Sequence, residues 1–286
     1  MAIVIKSVSW AAVAVLVGIA LRRYWLSPTR RVPVVAVVAA TAALPVFGAL
    51  DLWNTVSQVR SPVPFELWWR YASTTAHGHA VAWRSVATVL LALCVTLAPR
   101  SWWPVAAAAG VWLCYGFSRL SHAAAMGGAV PLAYDLVHLA GAVVWAGAVW
   151  VVAFTRDDLR STLRLSRLAL WSVVVLGIAG SFSALVHAGE PPRFFGSAYA
   201  LVLGVKLLAV GLALVLAARN RFVLVPRAAA KGDRDGLQRS LYLESGVLLG
   251  VLVLTGWLST TAVPHGQETS LGAIENLRRV MEHLLR

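Results

Sequence analysis

Long apolar stretches, separated by short polar or basic segments, dominate the chain. Eight of them run over about 4–24, 33–56, 78–98, 102–122, 131–154, 165–188, 198–218 and 241–263. A helix of roughly 20 apolar residues crosses the hydrocarbon core of a bilayer. Each stretch therefore predicts a transmembrane helix, and the expected architecture is an all-α, polytopic membrane helix bundle of eight spans. Between the second and third, the segment PFELWWRY (64–71) predicts a short amphipathic piece lying along the interface. Pro45 predicts a kink in the second span, where neighbouring helices re-satisfy the freed backbone groups. Beyond Pro264 the pattern changes. Leu271, Ile274, Leu277, Met281, Leu284 and Leu285 fall on one helical face, with Glu275, Arg278, Arg279 and Glu282 on the other. That segment predicts an amphipathic helix too polar to span. The chain thus divides into an N-terminal membrane half (1–128), a second membrane half (129–263) and a C-terminal amphipathic tail (264–286).

Composition agrees with a bilayer environment. Of 286 residues, 59% are hydrophobic and 13% charged, about half the ~25% usual in soluble domains. The formal net charge of +13 would suggest a nucleic-acid partner in a soluble protein. Here the basic residues lie between apolar stretches, so the expected partner is the lipid bilayer, with no nucleic acid. Their placement is asymmetric. The first connection carries Arg22, Arg23, Arg30 and Arg31, the third Arg100, and the fifth Arg156, Arg160 and Arg164. The seventh carries Arg219, Arg221, Arg227, Lys231, Arg234 and Arg239. The even connections hold only Arg60, Arg70 and Arg193. The positive-inside rule makes the odd connections cytoplasmic and both termini extracytoplasmic, in the cell inner (plasma) membrane. Because its basic flank follows it, the first stretch is expected to be a retained span and not a cleaved signal. Trp25, Trp102 and Trp103 would sit at the inner interface and Trp53, Trp68 and Trp69 at the outer one, while Trp112, Trp145 and Trp257 would be packing residues. Cys94 and Cys114, both inside apolar stretches, are expected to pack as small apolar groups.

With that topology, the histidines sort to one side. His77 and His79 open the third span from outside, and His122 closes the fourth. His138 lies about two turns into the fifth, His187 ends the sixth, and His265 follows the eighth. Only His283, in the tail, is elsewhere. Imidazole is a common ligand for copper, zinc, iron and nickel. Asp51, Asp135 and Glu190 are on the same side, with Met126 as the one outer-loop thioether. Arg119 with His122, and Asp135 with His138, are spaced i, i+3 and share helix faces. Ionisable groups within apolar helices are costly and mark functional sites. The candidate metal ligands are His122, His138, His77, His79, His187, Asp135 and Met126. On a helix, residues i and i+2 point apart, so His77 and His79 would grip one ion only if the chain is non-helical there. Arg84, Lys206 and Glu244 are further intramembrane charges, and Asp51 and Asp135 are at the right depth to pair with Arg84.

The second half resembles the copper-resistance D (CopD) family. The residues carrying the resemblance are Ser121-His122-Ala123-Ala124, Asp135 to Ala140 leading to Trp145-Ala146-Gly147, and Arg164 to Ala169. Gly196 to Lys206, Asn220-Arg221 and Glu244 complete it. It covers about 118–262, and the first four stretches match only as an apolar bundle. The resemblance implies that the chain binds a copper ion and transfers it across the inner membrane, often beside a CopC-type periplasmic copper-binding partner. It implies His122 and His138 as metal contacts. Two alternatives remain. Paired histidines could hold haem b non-covalently in an electron carrier, since no C-x-x-C-H is present. Alternatively, the chain could deliver copper to an external protein without transporting it. No enzyme activity is expected, because no nucleophile sits with a base in a recognisable motif.

Overall fold

The computed structural model describes all residues except 28–30, 122–123, 125–127, 156–157, 189–195, 233 and 262–286; for 183–188 and 231 it describes the backbone alone. All regular structure among the described residues is helical. In chain order the helices are α1 (Ala2–Leu21), α2 (Val34–Ser57), α3 (Phe65–Thr74), α4 (Ala76–Thr96), α5 (Trp103–Ser118), α6 (Ala129–Thr155), α7 (Leu159–Ala188), α8 (Ala198–Arg219), α9 (Val225–Lys231) and α10 (Asp235–Leu258). A π-helical turn, Arg22–Leu26, ends α1, and another, Asn220–Leu224, joins α8 to α9. Caps set the starts of two helices. The Thr75 hydroxyl accepts from the Gly78 N–H at the head of α4, and Ser197 accepts from Ala200 at the head of α8.

Seven helical stretches are long and apolar enough to cross a membrane: α1, α2, α4, α6, α7, α8 with its extension, and α10. The remaining expected span, 102–122, is helical only over the 16 residues of α5. At 1.5 Å per residue that is about 24 Å, short of a ~30 Å hydrocarbon core. Even so, α5 runs antiparallel to α4. Its last turn brings Gly116 against the Arg84 stem, and Trp112 meets Trp83 edge-on at 6.3 Å. The interfacial piece expected at 64–71 forms α3, which buries Leu67 and Tyr71 and leaves Phe65 and Trp69 exposed. The tail helix lies outside the described residues.

The bundle is built around α1 and α6. Every residue of α6 from Trp145 to Ala153 is buried, as expected of a helix that is apolar all round. Close approach of α1 depends on Gly18 and Gly147. A Cβ on either would strike the partner's backbone, at the Gly147 or the Ala14 carbonyl. Without a hydrophobic force between helices in lipid, such small-residue crossings supply the contact. Around this seam α2 and α10 pack on α1, α4 pairs with α2 and α5, α7 lies on α6, and α8 lies on α10. One core joins α1 and α6 to α2, α4 and α5; the other joins them to α7–α10. Large apolar side chains such as Val35, Trp171, Leu201, Leu208 and Val215 are exposed around the outside, where lipid would cover them.

Cross-chain hydrogen bonds sort the helix ends. At one end the Tyr24 hydroxyl donates to the Cys94 carbonyl at 2.7 Å, Ser27 bonds Ser161, and Arg164 donates to the Trp25 carbonyl at 2.8 Å. Arg221 donates to the Ser166 carbonyl there at 3.0 Å. At the opposite end Lys6 Nζ donates to the Ser259 carbonyl at 3.3 Å, and Asp51 meets His77. The basic odd connections therefore share one face.

Candidate functional site

Polar groups gather inside the bundle in three places. The first joins α2, α3 and α4. Because Thr75 starts α4 directly, His77 and His79 are already helical and point apart. His77 turns inward: Nε2 lies 3.1 Å from Asp51 Oδ2, and Nδ1 lies 3.3 Å from the Tyr71 hydroxyl. With Nε2–H donating to the carboxylate, Nδ1 accepts from the phenol. Burial, with the Asp51 charge as the next cause, holds the Tyr71 phenol above its usual range, so it remains a donor near neutrality. Lys6 and Arg84 lie within electrostatic reach of Asp51. Arg84 is buried, with its guanidinium 4.2 Å above the Phe117 ring. The expected Arg84–Asp51 association is thus electrostatic, while His77 takes the direct bond. His79 is exposed and its Nε2–H donates to the Ser73 carbonyl at 2.8 Å.

A contrast follows. His77→Ala leaves a half-buried carboxylate without its bond and should destabilise the protein by about 1–3 kcal/mol. His79→Ala should stay within ~0.5 kcal/mol. Unfolding of the detergent-solubilised protein checks both.

The second place joins α6, α7 and α8. Asp135 and His138 lie roughly 9 and 14 Å below the head of α6, and Lys206 lies roughly 12 Å below the head of α8. They are at one level, and both Lys206 and Asp135 are within electrostatic reach of His138. The His138 ring lies against Gly180 of α7, whose added Cβ would come 3.3 Å from Nδ1. The Leu176 backbone is also near the ring, yet Nδ1 is buried with no hydrogen-bond partner of good geometry. Tyr134 stacks on Phe182 at 3.8 Å beside this level. Next to it, a 620 Å³ cleft at the α5–α6 junction is lined by Arg119, Leu120, Ser121, Ala124, Gly128, Ala129 and Leu132.

The third place is at the other end. Glu244 of α10 is 2% exposed. Trp145 Nε1–H donates to its Oε1 at 3.3 Å, and Asn220 Nδ2–H donates to its Oε2 at 2.7 Å. The sequence marks Trp145 as a packing residue, and Asn220 only as part of the family resemblance. A glutamate inside an apolar helix requires donors, but which tryptophan supplies one depends on helix pairing. Trp150 likewise donates to the Ser245 carbonyl at 3.0 Å.

Of the sequence-predicted ligands, His77 and Asp135 with His138 fall in separate clusters, and His79 faces out. His122, Met126, His265, His283 and Glu190 lie outside the described residues, and for His187 only the backbone is described. Among the described residues, no three His, Cys, Asp or Glu side chains form a metal-binding group. Cys94 and Cys114 are free and buried, as expected.

Together these features define a multi-pass membrane helix bundle with polar clusters set into both of its ends. Residues 1–134 match the family described as copper resistance protein D-like, N-terminal domain, and residues 159–258 match copper resistance protein D. The chain belongs to the copper resistance protein D family. No curated protein and no solved structure matches it. His122 falls within the first matched segment, while Asp135, His138 and Trp145 fall between the two.

Proposed function

We propose that this protein binds copper at the extracytoplasmic end of its bundle and moves it across the inner membrane. Family membership supports copper as the cargo. The observation that carries the binding site is His138, whose buried Nδ1 has no hydrogen-bond partner of good geometry. A buried nitrogen left unpaired costs free energy, and a ligand would recover it. Neutral imidazole suits copper. Asp135, within reach of Lys206 and His138 alike, offsets the lysine charge that would otherwise repel a metal ion. His122 and Met126, beside the neighbouring cleft in sequence, complete the proposed ligand set. A CopC-type carrier is the proposed extracytoplasmic donor.

The proposed topology has eight passes with both termini outside. The Lys6–Ser259 bond supports it, because it ties the head of α1 to the end of α10. An even number of crossings satisfies that tie, and α5 supplies the eighth. The basic residues gathered on the opposite face support a cytoplasmic assignment for that end.

Copper uptake into sealed proteoliposomes tests the proposal. Protein-dependent accumulation of copper inside is expected. Binding without accumulation would instead assign a delivery role. A Soret band in the purified protein would assign the outer imidazoles to haem.

A further inference from the structure

The Glu244 cluster is unaccounted for by copper capture at the other end. Its carboxylate is almost fully buried and makes no ion pair with any described residue. It lies roughly 14 Å from the inner end of α10. Its only hydrogen-bond partners among the described residues are two neutral donors, Trp145 and Asn220. Two acceptors beside it are orphaned. Asn220 Oδ1 is buried without a partner, and so is Ser240 Oγ, one turn before Glu244 on the same face of α10. Asn220 and Glu244 both line a mainly apolar cavity of 220 Å³ at the inner end of the bundle, between α7, α8 and α10.

Among the described residues, only Asn220 and Trp145 act on this carboxylate besides its burial. From α1, no ionisable side chain occurs between Lys6 and Arg22; from α6, none between His138 and Arg156. On the α8 side, Arg219 is exposed and Arg221 is committed to the Ser166 carbonyl and hydroxyl. From α10, Arg239 is exposed. On the α7 side, Arg164 is bonded to the Trp25 carbonyl, and the cavity is met only by Thr162 and Ser166 among its polar residues.

The occupant follows from the supply of oxygen. A hard metal cation takes about six oxygen ligands. Here, beyond the carboxylate, Asn220 Oδ1 and Ser240 Oγ are unpartnered, while the Thr162 and Ser166 hydroxyls on the cavity wall are already bonded, to the Asp158 carbonyl and to Arg221. A proton needs one acceptor. We propose that Glu244 is a proton-exchange site, whose carboxyl takes up and releases a proton through the inner cavity while the Asn220 amide switches with it.

In the anion, Trp145 and Asn220 donate to the two oxygens. In the acid, Oε2–H donates to Asn220 Oδ1 after a half-turn of the amide, which turns the Asn220 NH₂ toward the cavity. The amide thus serves both states, and its unpaired oxygen is the acceptor the acid form requires. The proton passes between Oε2 and water from the inner side; only O–H bonds form and break. A role for this exchange in driving copper passage rests on the transport reading above, whereas the exchange itself does not.

Infrared difference spectra of the full-length protein in lipid, taken over about pH 4–10, test the site without copper. A protonated-carboxyl band that titrates with pH, is absent in Glu244→Gln and titrates at higher pH in Trp145→Phe is expected, since the anion then loses a donor. If wild type and Glu244→Gln give the same carboxyl spectra throughout, the proposal is overturned. A band whose titration moves with sodium at fixed ionic strength overturns it too, by assigning a metal cation. Should Glu244→Gln fail to fold, the Trp145→Phe titration decides: an unmoved midpoint overturns the assignment. Loss of copper uptake with an intact titration would refute transport alone.

Discussion

His138→Ala should bind copper at least about 10–100-fold more weakly than wild type, the range that loss of even an outer-shell partner produces, while remaining folded. The ring nitrogen at stake is buried between α6 and α7 and has no hydrogen-bond partner of good geometry. Removing it costs the fold no hydrogen bond of good geometry, and melting in detergent separates a binding defect from the cost of the cavity left behind. His77→Ala is the control. Both His77 ring nitrogens are engaged by Asp51 and Tyr71, so copper stoichiometry should survive that change even though stability falls. Gly180→Ala refines the argument. Its methyl would press on the His138 ring at 3.2–3.3 Å, displacing the imidazole without removing it, and should weaken copper binding less than the alanine substitution at 138. Copper retained per protein during dialysis against graded chelator measures all three. Equal retention by wild type and His138→Ala would remove His138 from the site.

Gly147→Ala should prevent assembly or destabilise the bundle by more than about 4 kcal/mol, the exceptional end of single-substitution effects. The added methyl meets the Ala14 carbonyl and lies 2.9 Å from the Gly18 nitrogen. These are backbone atoms, which no rotamer change can move aside. Separating α1 from α6 would loosen both cores at once, because each draws on both helices. Gly204→Ala provides the comparison: nothing lies within 4 Å of its added Cβ, and helix propensity alone predicts a gain of up to ~1 kcal/mol. Yield of monodisperse protein and its melting in detergent separate the two variants. A Gly147→Ala protein with wild-type melting would refute the close-crossing account of the seam.

Much of the membrane architecture could be read from the apolar stretches, because a span must satisfy its backbone within itself and cover a fixed thickness with apolar side chains. Seven of the eight stretches emerge as helices of spanning length, and 64–71 emerges as the short amphipathic α3. The stretch at 102–122 forms a helix shorter than its hydropathy suggests, Trp103–Ser118. Ser118 to Ser121 close in tight turns after α5, and hydropathy alone does not register where a helix stops. In the N-terminal half, likeness to the family was visible only as an apolar bundle, although a family match covers 1–134.

The candidate sites were less legible. Periodicity put His77 and His79 on different faces if helical, and the Thr75 cap makes them so. It could not pair His77 with Asp51 across 26 positions. Asp135 and His138 were legible as a shared face; that Lys206 comes within electrostatic reach of both required the tertiary arrangement of the helices.

By itself, then, the chain's pattern determined an all-helical membrane protein, its basic face and the intramembrane charges in need of partners. Those properties follow from local chemistry: solvent preference, helical period and charge. Only the tertiary structure decided which partners they find. Asp51 receives His77, Glu244 receives Trp145 and Asn220, and His138 keeps a nitrogen without a partner of good geometry. The reason is that lipid does not distinguish one apolar helix face from another, so neighbours are chosen by close-packing geometry such as the Gly18–Gly147 crossing. That geometry is a relation between distant segments which no single segment encodes.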